Sequence, residues 1–248
     1  MADEGLWLYG IVDGAVPAAP SLTGVDGEHR VELIREGRLA AIVSAVPLDE
    51  FGEDALKRAL EDLRFLDVLA RAHERVLDAA LALGTVVPFR LCTIYERPEH
   101  VREMLAREGA ELSATLDRLA GMEEWGVKGY LAARPEPASA RAAPASGTDY
   151  LRRKREARDA AEAAHGETDE QVASIHDRLA ARATAAVLNR PQDRRLSGRE
   201  DEMVLNASYL VPADEVEAFT ALAASLDGGA VQLECTGPWP PYHFVETR

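Results

Sequence analysis

Six histidines and two cysteines are the side chains of this 248-residue chain best suited to metal binding or nucleophilic chemistry. Many such sites can be recognised in a sequence by short, regular spacings of these residues, as in the CxxC and HExxH patterns. Cys92 and Cys235 lie far apart, the histidines are scattered, and neither a GxSxG nor a phosphate-loop pattern occurs. The sequence therefore predicts no catalytic site, no metal site and no cofactor, and we expect a protein that is not an enzyme.

His73 is the histidine whose position needs an explanation. It lies within residues 53–83, where leucine, valine and alanine recur at three- and four-residue spacings, the pattern of a helix with one buried face. A histidine on that face could be a buried base or a pH switch, or a core side chain with one satisfied hydrogen bond. We favour the core interpretation because no histidine, cysteine or serine partner stands at a useful spacing.

The charge balance narrows the classes of partner. The formal net charge is −15, whereas nucleic-acid binding needs a basic surface. One basic cluster occurs, between Arg152 and Arg158; because no aromatic residues interleave it, we favour a solvated helix face, with a docking site for an acidic protein as the alternative.

The longest apolar run, residues 39–46, is too short to span a bilayer. Together with few cysteines and an acidic N-terminus, these features predict a cytoplasmic protein without nucleic-acid binding or direct membrane insertion.

The first half of the chain predicts strands and helices that would form one α+β domain. Their order is a buried strand at 6–12, a β-hairpin at 30–46, one long or two joined helices at 53–83, a strand at 85–95 and a helix at 98–119. Pro88 removes a backbone donor from the strand at 85–95, so we expect an edge strand or a strand bent at the proline. Arg90 is the one charge in this apolar run.

The second half begins with a strand at 124–131, where side chains alternate with a period of two. After it we predict helices within 149–189, a weak strand near 190–196, a strand at 203–211, a helix at 213–226 and a strand at 231–235. This order is the split β-α-β pattern of ferredoxin-like folds with extra helix at the first crossover. The predicted fold is therefore a two-domain α+β protein: an N-terminal α+β domain over 1–121, and a modified ferredoxin-like domain over 122–248 with a variable helical insert at about 135–190.

The C-terminal tail combines proline with aromatic residues. Trp239, Tyr242 and Phe244 lie on an extended path that the neighbouring prolines favour. The aromatic side chains could form a preorganised surface for an apolar partner, or fold back to seal their own domain. We favour the second interpretation, since terminal segments of ordered domains are usually held down in this way.

Four segments, in chain order, carry a resemblance to a known family. They are Val87-Pro-Phe-Arg-Leu91, Glu124-Trp-Gly-Val-Lys128, Leu205-Asn-Ala-Ser-Tyr-Leu-Val211 and Thr236-Gly-Pro-Trp-Pro-Pro-Tyr-His-Phe244. With the Leu-Tyr-Gly run near the N-terminus, they make the chain resemble the gas vesicle protein family GvpF/GvpL over essentially its whole length. The alanine- and proline-rich insert after Arg134 departs from that resemblance.

The resemblance implies a function and a partner. The function is that of a non-enzymatic gas vesicle accessory or minor structural protein, associated with the vesicle, that binds the hydrophobic GvpA-type shell protein during assembly. Other gas vesicle accessory proteins stay open as further partners. A modified ferredoxin-like C-terminal domain is also implied. The alternative is a ferredoxin-like regulatory module that binds a small metabolite, an argument from fold analogy alone.

Two sets of residues are singled out, one for partner contact and one for the arrangement of the domains. Partner contacts are expected at an edge strand and in the tail, at Pro88, Phe89, Arg90, Trp239, Tyr242 and Phe244. A polar cluster that fixes the angle between the domains is expected from His73, Arg90, Glu124 and Lys128.

Overall fold

The computed structural model describes residues 3–59, 61–132, 147–192 and 201–245. The chain divides into two compact units: the first unit comprises Met1–Glu124 and Pro238–Arg248, and the second unit comprises Trp125–Gly237. Each unit contains a β-sheet and helices, which confirms the predicted α+β class. The observed division follows Glu124, near the predicted residue 121. Residues Pro238–Arg248 belong to the first unit, whereas the prediction placed them in the second domain.

The sheet of the first unit contains five strands: β1 (Glu4–Asp13), β2 (Val31–Glu36), β3 (Leu39–Pro47), β4 (Val86–Pro88) and β5 (Ile94–Tyr95). Their order is β2-β3-β1-β4, and β5 also pairs with β1. Strands β2 and β3 are the arms of the predicted hairpin, and Gly37 in its turn has a φ of 57°, which glycine adopts at little cost. Strand β4 lies at the end of the order, as Pro88 predicts.

Four helices accompany this sheet: α1 (Leu48–Phe51), α2 (Glu53–Ala59), α3 (Leu63–Leu81) and α4 (Pro98–Leu119). The apolar stretch at 53–83 is thus two helices, and the Asp62 side chain accepts a hydrogen bond from the Arg64 N–H to start α3. Helix α3 buries a face that includes Leu69, Val76 and Leu77. These side chains share one apolar core with β1 and β3.

The second unit contains β6 (Met122–Leu131, whose first residues belong to the first unit), α5 (Gly147–Ala180), β7 (Ala185–Leu188), β8 (Met203–Pro212), α6 (Val216–Leu226) and β9 (Val231–Trp239). The strand order β7-β8-β6-β9 is consistent with the split β-α-β pattern of a ferredoxin-like sheet. The core of this unit packs Ile175 and Leu179 of α5 and Phe219 of α6 against the sheet.

Two local predictions in this unit are wrong. The several helices predicted within 149–189 are one helix, because α5 runs from Gly147 to Ala180 without a break at Gly166; an interior glycine costs only about 1 kcal/mol. The short strand is Ala185–Leu188 rather than 190–196, and its pairing with β8 over Ala185↔Leu210 to Leu188↔Ala207 overrides the helical spacing of its side chains. Residues 193–196 of the predicted strand lie outside the described residues.

Candidate partner-binding groove

A groove of about 830 Å³ lies on the surface of the first unit. One wall is the outer face of α3, another is the loop at 24–27, and Trp239 of the tail closes a third side. The lining residues are Gly24, Val25, Asp26, Gly27, Val68, Ala70, Arg71, Ala72, Glu74, Arg75, Asp78 and Trp239. Its size is within the range of sites that take a ligand or an anchoring side chain of a partner.

Large apolar side chains are exposed in this groove and elsewhere on α3. Val68 is 65% exposed and Trp239 is 44% exposed. Leu63, on the first turn of the same helix α3, is 78% exposed. Neighbouring exposed apolar side chains with charged residues around them are typical of protein interaction sites. The groove is therefore suited to an apolar surface of another protein.

The loop that forms one wall is tied to the core through Tyr9. The Tyr9 hydroxyl accepts a hydrogen bond from the Val25 N–H at 2.9 Å and shares a second one with Ser44 Oγ at 2.8 Å. Burial raises the pKa of Tyr9 to about 12, so the phenol stays protonated. Asp26 accepts hydrogen bonds from the Glu28 and His29 N–H groups. These bonds give the wall a fixed conformation.

Gly24 lies where the loop at 24–27 contacts the sheet, so a substitution there tests whether the Tyr9 hydrogen bonds stabilise the loop. A Cβ added at Gly24 would come within 2.1 Å of Ser44 Oγ and 2.8 Å of the Tyr9 hydroxyl oxygen. We expect Gly24→Ala to lower the free energy of unfolding by roughly 2–3 kcal/mol, because it overpacks the site and separates Tyr9 from Val25. Urea unfolding would measure this, with Gly166→Ala, where an added Cβ meets nothing within 4 Å, as the control that should not destabilise. Equal stability of the two variants would contradict the claim that Tyr9 holds this loop against the core.

The tail that carries Trp239 is held to the first unit by polar and apolar contacts. The Tyr242 hydroxyl donates to Glu74 Oε1 at 2.9 Å, and Arg118 Nη2 donates to the Phe244 carbonyl oxygen at 2.7 Å. Burial raises the pKa of Glu74, while the hydrogen bond from Tyr242 lowers it. Phe244 is 8% exposed. The tail is thus docked, and the predicted folding-back of its aromatics takes place on the first unit.

Glu124 is the most buried residue among these tail contacts, and its partner is His243. Glu124 is 3% exposed and accepts hydrogen bonds from the His243 N–H at 3.1 Å and from the His243 ring at 2.6 Å. The hydrogen bond to the Glu124 carboxylate raises the pKa of His243. The buried Glu124 carboxylate thus has two hydrogen-bond donors, both from His243.

The residues predicted for partner contact differ in their accessibility. Pro88 and Phe89 are buried, and the Phe89 N–H donates to the Tyr9 carbonyl oxygen at 2.8 Å. Arg90 is exposed in the turn that follows. In the tail, the exposed aromatic side chain is Trp239, because Phe244 is buried and Tyr242 packs against the core. Arg90 and Trp239 are therefore the predicted contact residues that a partner could reach without rearrangement of the first unit.

The four residues of the predicted polar cluster have different surroundings. His73 is 1% exposed in the core of the first unit and accepts a hydrogen bond from Trp7 Nε1 at 2.9 Å. Glu124 is paired with His243, Arg90 is exposed, and Lys128 is half-buried in the second unit. The core interpretation of His73 thus matches its contacts. The role of the cluster in setting the angle between the domains stays a prediction.

The described residues contain neither a metal-binding cluster nor a membrane-spanning helix. Within residues 3–59, 61–132, 147–192 and 201–245, no three or more His, Cys, Asp or Glu side chains are grouped so that they could hold a metal ion. Over the same residues, no helix has the length and apolar character needed to cross a membrane.

Comparison with known proteins assigns the family. The family described as "Gas vesicle synthesis protein GvpL/GvpF" matches residues 5–246. The chain belongs to the GvpL/GvpF family. Gas vesicle protein L from a Streptomyces species is 38% identical over 240 residues, which is 94% of this chain and 88% of that protein. Gas vesicle protein F2 of Halobacterium salinarum is 26% identical over 99% of this chain and 94% of its own length.

Solved structures of GvpF support the same fold. The crystal structure of GvpF from an Anabaena species matches with a TM-score of 0.68 and 21% identity, covering 99% of this chain and 97% of that one. GvpF from Microcystis aeruginosa matches with a TM-score of 0.67 over 97% of this chain and 98% of that one. The GvpF/GvpL resemblance read from four sequence segments is therefore confirmed, and membership of this family supports a role in gas vesicles.

The sequence did not indicate the groove itself. Val68 belongs to the helical stretch at 53–83, but its spacing does not distinguish an exposed apolar residue from a buried one. The loop at 24–27 has the glycine and aspartate content of any surface turn. The one available signal was the tail, where Trp239 is predicted as a contact residue, but the α3 residues that line the groove with it, Val68 to Asp78, are 161 or more residues earlier in the chain.

Proposed function

We propose that this protein is a non-enzymatic gas vesicle accessory or minor structural protein that binds the hydrophobic shell subunit and supports vesicle assembly. The observation that carries the proposal is the groove of the first unit, with Val68 and Trp239 exposed in it. A shell subunit with an apolar, gas-facing surface would aggregate before it polymerises. A partner that covers such a surface keeps the subunit competent for assembly.

The charge of the chain supports this function. The net charge of −15 favours solubility, so a complex that buries an apolar shell surface would remain dispersed. Around the groove, Arg71 and Arg75 alternate with Glu74 and Asp78 along α3. A mixed rim of this kind selects the orientation of a partner, whereas the apolar floor supplies most of the affinity.

Co-expression with the shell subunit tests the proposal. We expect the two proteins to co-purify, and the complex to persist from about 50 mM to about 500 mM salt because apolar burial is insensitive to screening. Val68→Asp and Trp239→Ser should each lower the recovery of the shell subunit about tenfold or more, which corresponds to roughly 1.4 kcal/mol or more of lost binding.

The matched control is Leu83→Asp, in the same unit. Leu83 is 48% exposed but does not line the groove, so this substitution should leave the recovery unchanged. Arg90→Glu distinguishes binding in the groove from binding at the edge strand. It should lower the recovery of the shell subunit only if the shell subunit binds near β4. Recovery that is indifferent to Val68→Asp and Trp239→Ser, while Arg90→Glu abolishes it, would move the contact to β4. Absence of co-purification at every salt concentration would refute shell binding.

A further inference from the structure

Two sides of the groove are not formed by α3: the loop at 24–27 and the docked tail. In the loop, the Asp26 side chain is 5% exposed, and its Oδ2 lies 2.5 Å from Nδ1 of His29. In the tail, the side chain of Glu124 that holds it is 3% exposed, and its Oε1 lies 2.6 Å from Nδ1 of His243. Each of these sides is therefore held by a carboxylate that is nearly inaccessible and is paired with a histidine.

The two histidine rings, in contrast, are open to solvent on one side. The side chains of His29 and His243 are 37% and 41% exposed, respectively. Each ring can thus exchange a proton with water while its carboxylate partner stays buried. Histidine is the side chain whose ordinary pKa places such a charge change between about pH 5 and about pH 8.

The charged groups around His29 favour its protonated form. The hydrogen bond to Asp26 raises the pKa of His29, and burial of the ring opposes this in part. Glu4 of β1, whose Oε1 lies 3.9 Å from the His29 Nε2, and Glu28, the preceding residue, raise the pKa further. All three charged neighbours of this ring are therefore acidic.

The surroundings of His243 act in the same direction. The hydrogen bond to Glu124 raises the pKa of His243, again against the effect of burial. Two further charged groups hold the tail on either side of this ring: Glu74 of α3 accepts a hydrogen bond from Tyr242, and Arg118 of α4 donates to a backbone carbonyl oxygen. The ring thus carries the positive charge that faces the buried Glu124 carboxylate.

We propose that these two carboxylate–histidine pairs make the groove sensitive to pH: protonated His29 and His243 hold the loop and the tail in place for a bound partner, and loss of the protons loosens both. This inference rests on the proposed function, because it concerns the regulation of that same site. Deprotonation removes the cation beside a buried carboxylate, where an uncompensated charge is unfavourable. A neutral ring still donates one hydrogen bond, so the contact weakens and is not abolished.

The direction of the effect follows from the signs of the two pKa shifts. Folding raises the pKa of His29 and of His243 above the ordinary value of 6.5. The stabilisation that they provide is therefore complete below pH 6.5 and is lost as the pH rises through the higher pKa values of the folded protein. The groove should bind its partner more tightly on the acidic side of neutrality.

Two carboxylates inside the groove also take up protons on acidification. Burial raises the pKa of Glu74 and of Asp78, so acid makes the groove less charged through these residues as well. Variants of the histidines keep both carboxylates. A difference between the wild type and a histidine variant therefore measures the contribution of the histidine alone.

Hydrogen exchange of the full chain tests the loop and the tail without any partner. The informative N–H groups are that of residue 243, which donates to Glu124, and that of Val25, which donates to the Tyr9 hydroxyl. After correction for the intrinsic effect of pH on exchange, the protection of both should be about threefold or more lower at about pH 8 than at about pH 6, because the opening equilibrium follows the pKa shift.

Glutamine variants separate the two histidines, since glutamine keeps a hydrogen-bond donor but carries no charge. His243→Gln should remove the pH dependence of protection in the tail only, and His29→Gln in the loop only. His165→Gln, at an exposed position of α5, is the matched control and should behave as the wild type does. Protection in the wild type that is independent of pH, or an unchanged pH dependence in the two histidine variants, would overturn the inference.

Binding of the shell subunit at the same two pH values tests the regulation itself. The dissociation constant for the wild type should be about threefold or more higher at about pH 8 than at about pH 6, whereas the double variant, His29→Gln with His243→Gln, should bind at both as the wild type does at about pH 8. Because the shell subunit also titrates, the difference between the two proteins is the measure.

The two failures can be told apart. If the complex forms and its pH dependence is the same for the wild type and the double variant, the inference is wrong and the proposed function stands. If no complex forms at either pH, the proposed function is wrong, and hydrogen exchange decides whether the two pairs control the loop and the tail.

Discussion

Reversing the charge of Glu124, in the variant Glu124→Lys, is expected to lower the free energy of unfolding by about 3–5 kcal/mol. Glu124 is 3% exposed and accepts two hydrogen bonds from His243. A lysine there would bury an ammonium beside a histidine whose pKa the carboxylate now raises, and it would leave the His243 N–H without its acceptor. We therefore expect the tail to detach from the first unit.

Two variants distinguish this result from a general effect of charge. Glu124→Gln keeps the volume and one acceptor, so it should cost less, whereas Glu103→Lys reverses an exposed charge on α4 and should be nearly neutral. Urea unfolding gives the stabilities, and limited proteolysis near Pro238 reports tail release. If Glu124→Lys and Glu103→Lys proved equally stable, the buried pair would not hold the tail.

Acidification of the wild type is expected to remove about 3 kcal/mol of stability at pH 4 through His73 alone. Burial lowers the pKa of His73 from 6.5 to about 4, and a contact with the Phe89 backbone opposes the shift only in part. The unfolded chain therefore binds more protons than the folded chain between these two pH values. Stability contributed by the neutral ring is complete above pH 6.5 and is lost as the pH falls towards about 4.

The hydrogen bond from Trp7 also favours the neutral form of His73 and so contributes to its lowered pKa. Trp7 Nε1 donates to His73 Nδ1 at 2.9 Å, so the neutral ring carries its proton on Nε2. Protonation of Nδ1 would turn the acceptor into a donor facing another donor. The ring is also stacked on Tyr9, with 5.2 Å between the centroids, and no water reaches it at 1% exposure. Apart from the contact with the Phe89 backbone, these surroundings favour the neutral form of His73.

Urea unfolding of the wild type and of His73→Gln, at several pH values between 7.5 and 4, measures the contribution. The glutamine can accept from Trp7 and does not titrate, so its stability should fall less on acidification than that of the wild type. His165→Gln, at an exposed position of α5, is the control that should follow the wild type. Parallel curves for the wild type and His73→Gln would show that His73 does not titrate in this range.

The sequence predicts well those elements that local chemistry determines. Gly37 fixes the turn of the hairpin, Pro88 keeps β4 at the sheet edge, and the apolar spacing around His73 places that histidine in the core. In each case one residue restricts the backbone, or the apolar residues of one helix face must be buried. The residues that determine the element therefore lie within a few neighbouring positions.

What the sequence could not provide depends on distant partners. The strand β7 has the spacing of a helix and becomes a strand only through its pairing with β8. The tail is predicted to fold back, but Tyr242 finds its partner at Glu74, and no local pattern indicates that pairing. The groove needs α3, an early loop and Trp239 together, so its existence follows only from the tertiary structure.

The docked tail also determines when the first unit can be finished during synthesis. Its two parts, Met1–Glu124 and Pro238–Arg248, are separated by the entire second unit. A ribosome that adds about 5–20 residues per second would need roughly 6–24 s after Glu124 to reach His243. Throughout that interval Glu124 lacks His243, Glu74 lacks Tyr242, and α3 exposes Val68 without Trp239 beside it. The nascent chain would thus carry an unclosed groove until the tail has been synthesised.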